Sequence, residues 1–198
     1  MNTTVILSTI NAVVPLDKAE TELLASCLIA RPFKQGETLV HSGDPARYLL
    51  YVNSGYVMTY YTDKGGTDCV VQFAAAGWWA GDMYSLTEET NTLYTTKGLC
   101  DGEVLLLPRL AHNHLLANSI RFERYFRITF QNALIRQQLR LIESHTDSAE
   151  QRYTAFVKRY PTMEQYVPQK YIASYLGITP EFLSKLRKSL AQADLNRR

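Results

Sequence analysis

Nine of the ten glycines in this chain, Gly36, Gly43, Gly55, Gly65, Gly66, Gly77, Gly81, Gly98 and Gly102, fall between residues 36 and 102. They punctuate short runs rich in β-branched and aromatic residues: "YLLYVNS", "YVMTYYT", "DCVVQFA", "YTTKGL" and "EVLLLP". Many short strands separated by turn residues predict an antiparallel sandwich or barrel. "TDKGGTD" reads as a hairpin, because Gly-Gly accepts the positive φ that tight turns need. Residues 16 to 31, "LDKAETELLASCLIAR", read as a helix laid against this unit, with Asp17 as its N-cap.

After Pro108 no glycine occurs until Gly177, and the apolar spacing becomes helical. Tyr125, Ile128, Asn132, Ile135, Leu139 and Ile142 are spaced 3, 4, 3, 4, 3. That stripe fits a dimer seam in which Asn132 sets the register, and equally a single helix packed on its own β domain. "SHTDSAEQRY" then interrupts the helix, with Ser148 or Asp147 available to cap the next one.

Residues 171 to 188, "YIASYLGITPEFLSKLRK", read as two helices joined at Gly177, with Thr179 as N-cap and Pro180 at the first helical position. Leu183, Leu186 and Leu190 face inward, whereas Glu181, Ser184, Lys185 and Lys188 form a separate polar face. This is the pattern of a helix-turn-helix. Lys185 suits guanine and Glu181 suits cytosine in the major groove; Gln169, Thr179, Pro180, Ser184, Arg187 and Lys188 complete the DNA-binding set. On this reading Lys185→Ala alters sequence preference and Arg187→Ala weakens binding to all sequences. A charged face is also what any exposed helix carries.

Charge supports a polyanion partner at this end. Residues 151 to 198 carry nine Lys/Arg against three acids, leaving 12 basic and 16 acidic side chains in the first 150. Cys27, Cys69 and Cys100 are far apart and form no C-x-x-C pair, which argues against a disulfide framework or a metal cluster. No signal peptide and no membrane span is read from the sequence, so a cytoplasmic protein is expected.

The order of these parts resembles the Crp/Fnr family of bacterial transcription regulators over nearly the whole length. The matching words are "FKQGETLVHSGDPARYLLYVNSGYV" (33 to 57), "GWWAGDMYSL" (77 to 86), "EVLLLP" (103 to 108) and "VPQKYIASYLGITPEFLSKLRKSL" (167 to 190). "AEQRYTAFVKRYP" with "VPQKYIASYLGITPE" looks most like the branch found in Bacteroidetes. The resemblance implies an α+β chain: a jelly-roll-like β-roll sensor with an N-terminal helix (1–115), a long dimerisation helix (116–146) and a small helix-turn-helix domain (147–198). It also implies a homodimer, promoter DNA and RNA polymerase as partners, and a small-molecule effector.

The sensor departs from that pattern. In cyclic-nucleotide-binding members a Gly-Glu pair is followed about ten residues later by an arginine that neutralises the cyclic phosphate. Gly81 and Asp82 match the pair, but "MYSLTEETNTLYTT" (83 to 96) holds no Lys or Arg. Without a bidentate cation a buried phosphate loses its strongest bonds, so cyclic AMP is not expected to bind in the usual manner. Gly81, Asp82, Met83, Leu93 and Tyr94 are then candidates for a pocket taking another effector, with Arg136 as a substitute cation. Trp78 and Trp79 belong either to that pocket or to the core. The oxygen-sensing branch needs an N-terminal cysteine cluster, and only Cys27 is there; the segment after Leu190 leaves the flanking β-wing short or absent.

Two other classes compete. Related barrels host metal oxygenases, but His112-x-His114 lies in helical context without further ligands, so no enzyme, metal or cofactor is expected. The alternative is a cyclic-nucleotide or other small-ligand signalling module that acts through protein partners.

Overall fold

The structure is a computed structural model that describes residues 1–195. Its elements run α1 (Thr4–Asn11), α2 (Lys18–Cys27), β1 (Ile29–Phe33), β2 (Thr38–Val40), β3 (Tyr48–Ser54), β4 (Tyr56–Thr62), β5 (Asp68–Ala75), β6 (Trp79–Ala80), α3 (Met83–Thr87), β7 (Thr95–Gly98) and β8 (Gly102–Pro108). Helices α4 (Arg109–Asn118), α5 (Ile120–Thr146), α6 (Ala149–Arg159), α7 (Gln169–Leu176) and α8 (Pro180–Leu195) follow. This is the expected α+β arrangement. The chain divides into two compact units, one of Met1–Tyr61 with Gln72–Ile135, the other of Thr62–Val71 with the chain from Arg136 onward.

Two antiparallel four-stranded sheets, ordered β1-β8-β3-β6 and β2-β7-β4-β5, form the roll. Strand β3 is buried along Leu49 to Asn53, so both of its faces are covered. Two clusters fill the interior. Tyr51, Leu105 and Leu107 meet Ile6, Ile10, Leu115, Phe122 and Phe126 from the helices, while Phe33, Leu50, Val52, Val57 and Val104 pack together elsewhere in the roll. Each such aromatic ring removed from water contributes roughly 1.5–3 kcal/mol.

The segment read as one helix over 16 to 31 splits. Asp17 forms a capping box with Glu20, as expected, but the helix stops at Cys27, Leu28 turns extended, and Ile29–Phe33 pairs along β8. Tertiary pairing overrides a helical pattern here. The long helix also has a break before it. Ser119 adopts an extended conformation, and its hydroxyl donates to Glu20 at 2.6 Å. Arg121 at the start of α5 donates to Asp17 at 2.8 Å and to Glu20 at 2.7 Å. These bonds tie the start of α5 to the N-terminus of α2.

In the second unit the "TDKGGTD" turn forms, with the Asp63 N–H donating to the Thr67 carbonyl at 2.9 Å. Ser148 caps α6 in a capping box with Gln151. Tyr153, Phe156, Tyr160, Met163, Val167, Ile172, Leu176 and Leu183 are buried. Gly177 ends α7 at φ 67°, where a side chain would be strained, and this turn leads the chain into α8.

Candidate functional site

The roll carries a depression between the start of β3 and the Gly81–Asp82 turn, lined among others by Arg47, Tyr48, Gly81, Asp82, Thr92 and Tyr94. Gly81 sits at φ 146°, a conformation open to glycine, and this turn aims Asp82 inward as the N-cap of α3. The carboxylate is 8% exposed and fully engaged. Its Oδ1 accepts the Ser85 N–H at 3.0 Å; its Oδ2 accepts the Ser85 hydroxyl at 2.8 Å, the Leu93 N–H at 2.8 Å and the Thr92 hydroxyl at 3.2 Å. Burial alone would raise its pKa, but the two N–H and two hydroxyl donors outweigh it and hold the carboxyl below its usual range.

The loop opposite is latched as well. The Thr92 N–H donates to Asp44 and its carbonyl accepts from Gly43, both at 2.8 Å. Thr92 thus occupies, with a neutral side chain, the stretch where a phosphate-binding arginine would fall. The cavity measures about 40 Å³, against several hundred for a site enclosing a nucleotide-sized ligand. Arg109, one cation near this loop, is paired with Glu89 at 2.7 Å.

Of the pocket candidates, Gly81, Asp82 and Tyr94 line the depression. Met83 does not, because it packs into the core, and neither does Leu93, whose side chain is half exposed. Arg136 lies in the second unit, where burial and the nearby Arg159 lower its pKa beside Tyr160 and Tyr175. Trp78 and Trp79 are packed against the core, Trp79 stacking edge-on with Tyr51 at 5.1 Å and donating to the Tyr125 hydroxyl at 2.9 Å. Arg47 also lines the depression, from the loop before β3, where the Gly-Asp motif gives no signal for it.

The seam residues separate along α5. Tyr125 is 1% exposed within its own core, so it does not belong to a dimer face. Ile128 is half-buried, whereas Asn132, Ile135, Leu139 and Ile142 are exposed. Leu134 and Leu141 are exposed beside them, so the second half of α5 presents an uncovered apolar surface.

In the second unit, α8 buries Leu183 completely and exposes Glu181, Lys185 and Lys188, with Ser184 half-buried on the same side. Thr179 accepts the Phe182 N–H at 3.2 Å, which makes it the expected cap, and Thr179, Pro180 and Gln169 are exposed. Arg187 turns away from this face, lying 3.9 Å from Glu164. Glu164 also accepts the Tyr153 hydroxyl at 2.6 Å, and burial, then this carboxylate, push the phenol up to about 12. Arg187 is thus half-buried beside Glu164. The expected short or absent wing falls after Leu190, where α8 continues to Leu195; residues 196–198 lie outside the described residues.

Among the described residues no group of His, Cys, Asp or Glu is arranged to hold a metal ion, and His112 is instead buried against Phe126. No helix among them is long and apolar enough to cross a membrane.

Residues 30–119 match the model of the cyclic nucleotide-binding domain. A search of the curated proteins finds no match. Among solved structures the chain resembles FixK2 from Bradyrhizobium japonicum (TM-score 0.73, 16% identity, covering 84% of this chain and 86% of that one). It also resembles a putative Crp/Fnr-family transcriptional regulator from Eubacterium rectale (0.70, 16%, 90% and 85%). A third is the c-di-GMP responsive global regulator CLP from Xanthomonas campestris (0.69, 18%, 90% and 93%). Residues 30–119 thus match a cyclic nucleotide-binding domain, and the chain shares its fold with solved Crp/Fnr transcription regulators.

Proposed function

We propose that this protein is a homodimeric Crp/Fnr-type transcription regulator that reads promoter DNA with α8 and is not an enzyme. The observation that carries the reading is the α8 face, where Lys185 and Lys188 stand exposed beside Glu181 and Ser184 while Leu183 anchors the helix. Exposed cations at this spacing serve phosphates and guanine edges. Dimerisation is supported by Ile135, Leu139 and Ile142, each more than half exposed along α5. A two-fold dimer presents two α8 helices to a palindromic operator. RNA polymerase is the protein partner that promoter binding implies, in a cytoplasmic setting, and the 149–181 sequence supports placement in the branch found in Bacteroidetes.

The sensor does not take cyclic AMP in the usual manner. Asp82 has spent its carboxylate on Ser85, Thr92 and Leu93, and no cation lies in the 83–96 segment. An effector of different chemistry enters only by opening that latch. Selecting bound genomic fragments, with and without a metabolite extract, tests both halves. A recurring palindrome supports the DNA reading, and its absence in both conditions refutes it. Calorimetric binding of cyclic AMP at micromolar concentration refutes the reading of the sensor.

A further inference from the structure

The face of α8 given to DNA carries one large apolar side chain that neither charge nor hydrogen bonding explains. Phe182 lies in the first turn of α8 and is 50% exposed, while Leu183 beside it is buried. Phe182, Lys185 and Ser189 recur at i, i+3 and i+7, and all three are exposed, so the ring stands on the Lys185 side of the helix. The Thr179 hydroxyl, accepting the Phe182 N–H at 3.2 Å, fixes the turn that presents it.

A phenyl ring has no donor or acceptor with which to read a polar base edge. In the major groove one base edge offers an apolar group, the 5-methyl of thymine. Lys185 beside the ring, with Lys188 further round the same helix, favours a polyanion over an apolar protein partner. We propose that Phe182 is a specificity-determining residue whose ring packs on a thymine 5-methyl in each half-site, next to the base edges that Glu181 and Lys185 read. The assignment rests on the DNA-reading function above.

The test uses the full chain and a duplex that it selects from random sequence. Each thymine is replaced in turn by uracil, which pairs identically but lacks the methyl. Wild type is expected to lose about fourfold in affinity at one thymine per half-site, the worth of one buried methyl-sized group. Phe182→Ala is expected to bind thymine and uracil duplexes equally, and Phe182→Leu, which keeps an apolar contact, to retain part of the preference. Equal binding of both duplexes by wild type, or an undiminished thymine preference in Phe182→Ala, overturns this assignment alone. Failure to select any duplex overturns the DNA reading and this assignment together.

Discussion

Leu93 donates its N–H to Asp82 Oδ2 at 2.8 Å, and the hydroxyl of Thr92 meets the same oxygen at 3.2 Å. The carboxylate that would face a ligand in this pocket therefore holds the pocket's own loop shut. Asp82→Asn removes the charge that strengthens these bonds and is expected to cost about 2–3 kcal/mol of stability, read by denaturant unfolding. Because the folded-state pKa is depressed, the ion's contribution is present above the usual carboxylate range and is lost as pH falls through the lower folded value. The variant should lack that part of the acid limb.

His112 gives the opposite chemistry. Its Nε2 is buried without a hydrogen-bond partner, and its ring lies 4.5 Å from that of Phe126. Burial lowers its pKa, with Asn113 opposing. The unfolded chain then binds a proton at pH values where the folded one does not, so stability falls as pH drops below about 6.5. His112→Gln should show a shallower fall in thermal midpoint between roughly pH 6.5 and 5.

On α5, a charge at the exposed apolar positions separates dimerisation from folding. Leu139→Glu is expected to leave the circular dichroism spectrum unchanged and to shift sedimentation from dimer to monomer. A wild-type chain that sediments as a monomer at micromolar concentration contradicts the dimer.

Ser174 on α7 caps the backbone of β5, donating to the Asp68 carbonyl and accepting the Val70 N–H, both at 2.9 Å. Arg140 donates to Val71 and Val70 and lies 4.0 Å over the Tyr175 ring. Ser174→Ala strands the buried Val70 amide and should cost about 1–3 kcal/mol. Hydrogen exchange at Val70 is expected to quicken at least about tenfold, a ratio worth ~1.4 kcal/mol.

The roll was legible because glycine spacing and β-branched runs are local signals. Strand β1 was not, since "LIAR" continues a helical pattern and becomes a strand through β8, more than 60 residues away. Helix α1 was missed as well: Thr3 makes no side-chain cap, and Ile6 and Ile10 declare themselves only by burial against the roll. A 3-4 stripe cannot separate Tyr125, bonded to Trp79 within its own core, from Leu139, which is exposed. Arg187 sits one step round the helix from Lys188, toward Leu183, and its pairing with Glu164 has no local sequence signal.

The central claim, that α8 reads DNA through its exposed cations, is tested most directly by the salt dependence of binding to a selected operator. Wild-type affinity is expected to fall steeply as salt rises, Lys188→Ala to lower the slope by about 1, and Lys185→Ala to lose about 1–3 kcal/mol of preference for the operator over random duplex. Arg187→Ala should act on unfolding and leave that slope in place. Binding that is indifferent to salt, or unchanged by Lys185→Ala and Lys188→Ala, would contradict the account.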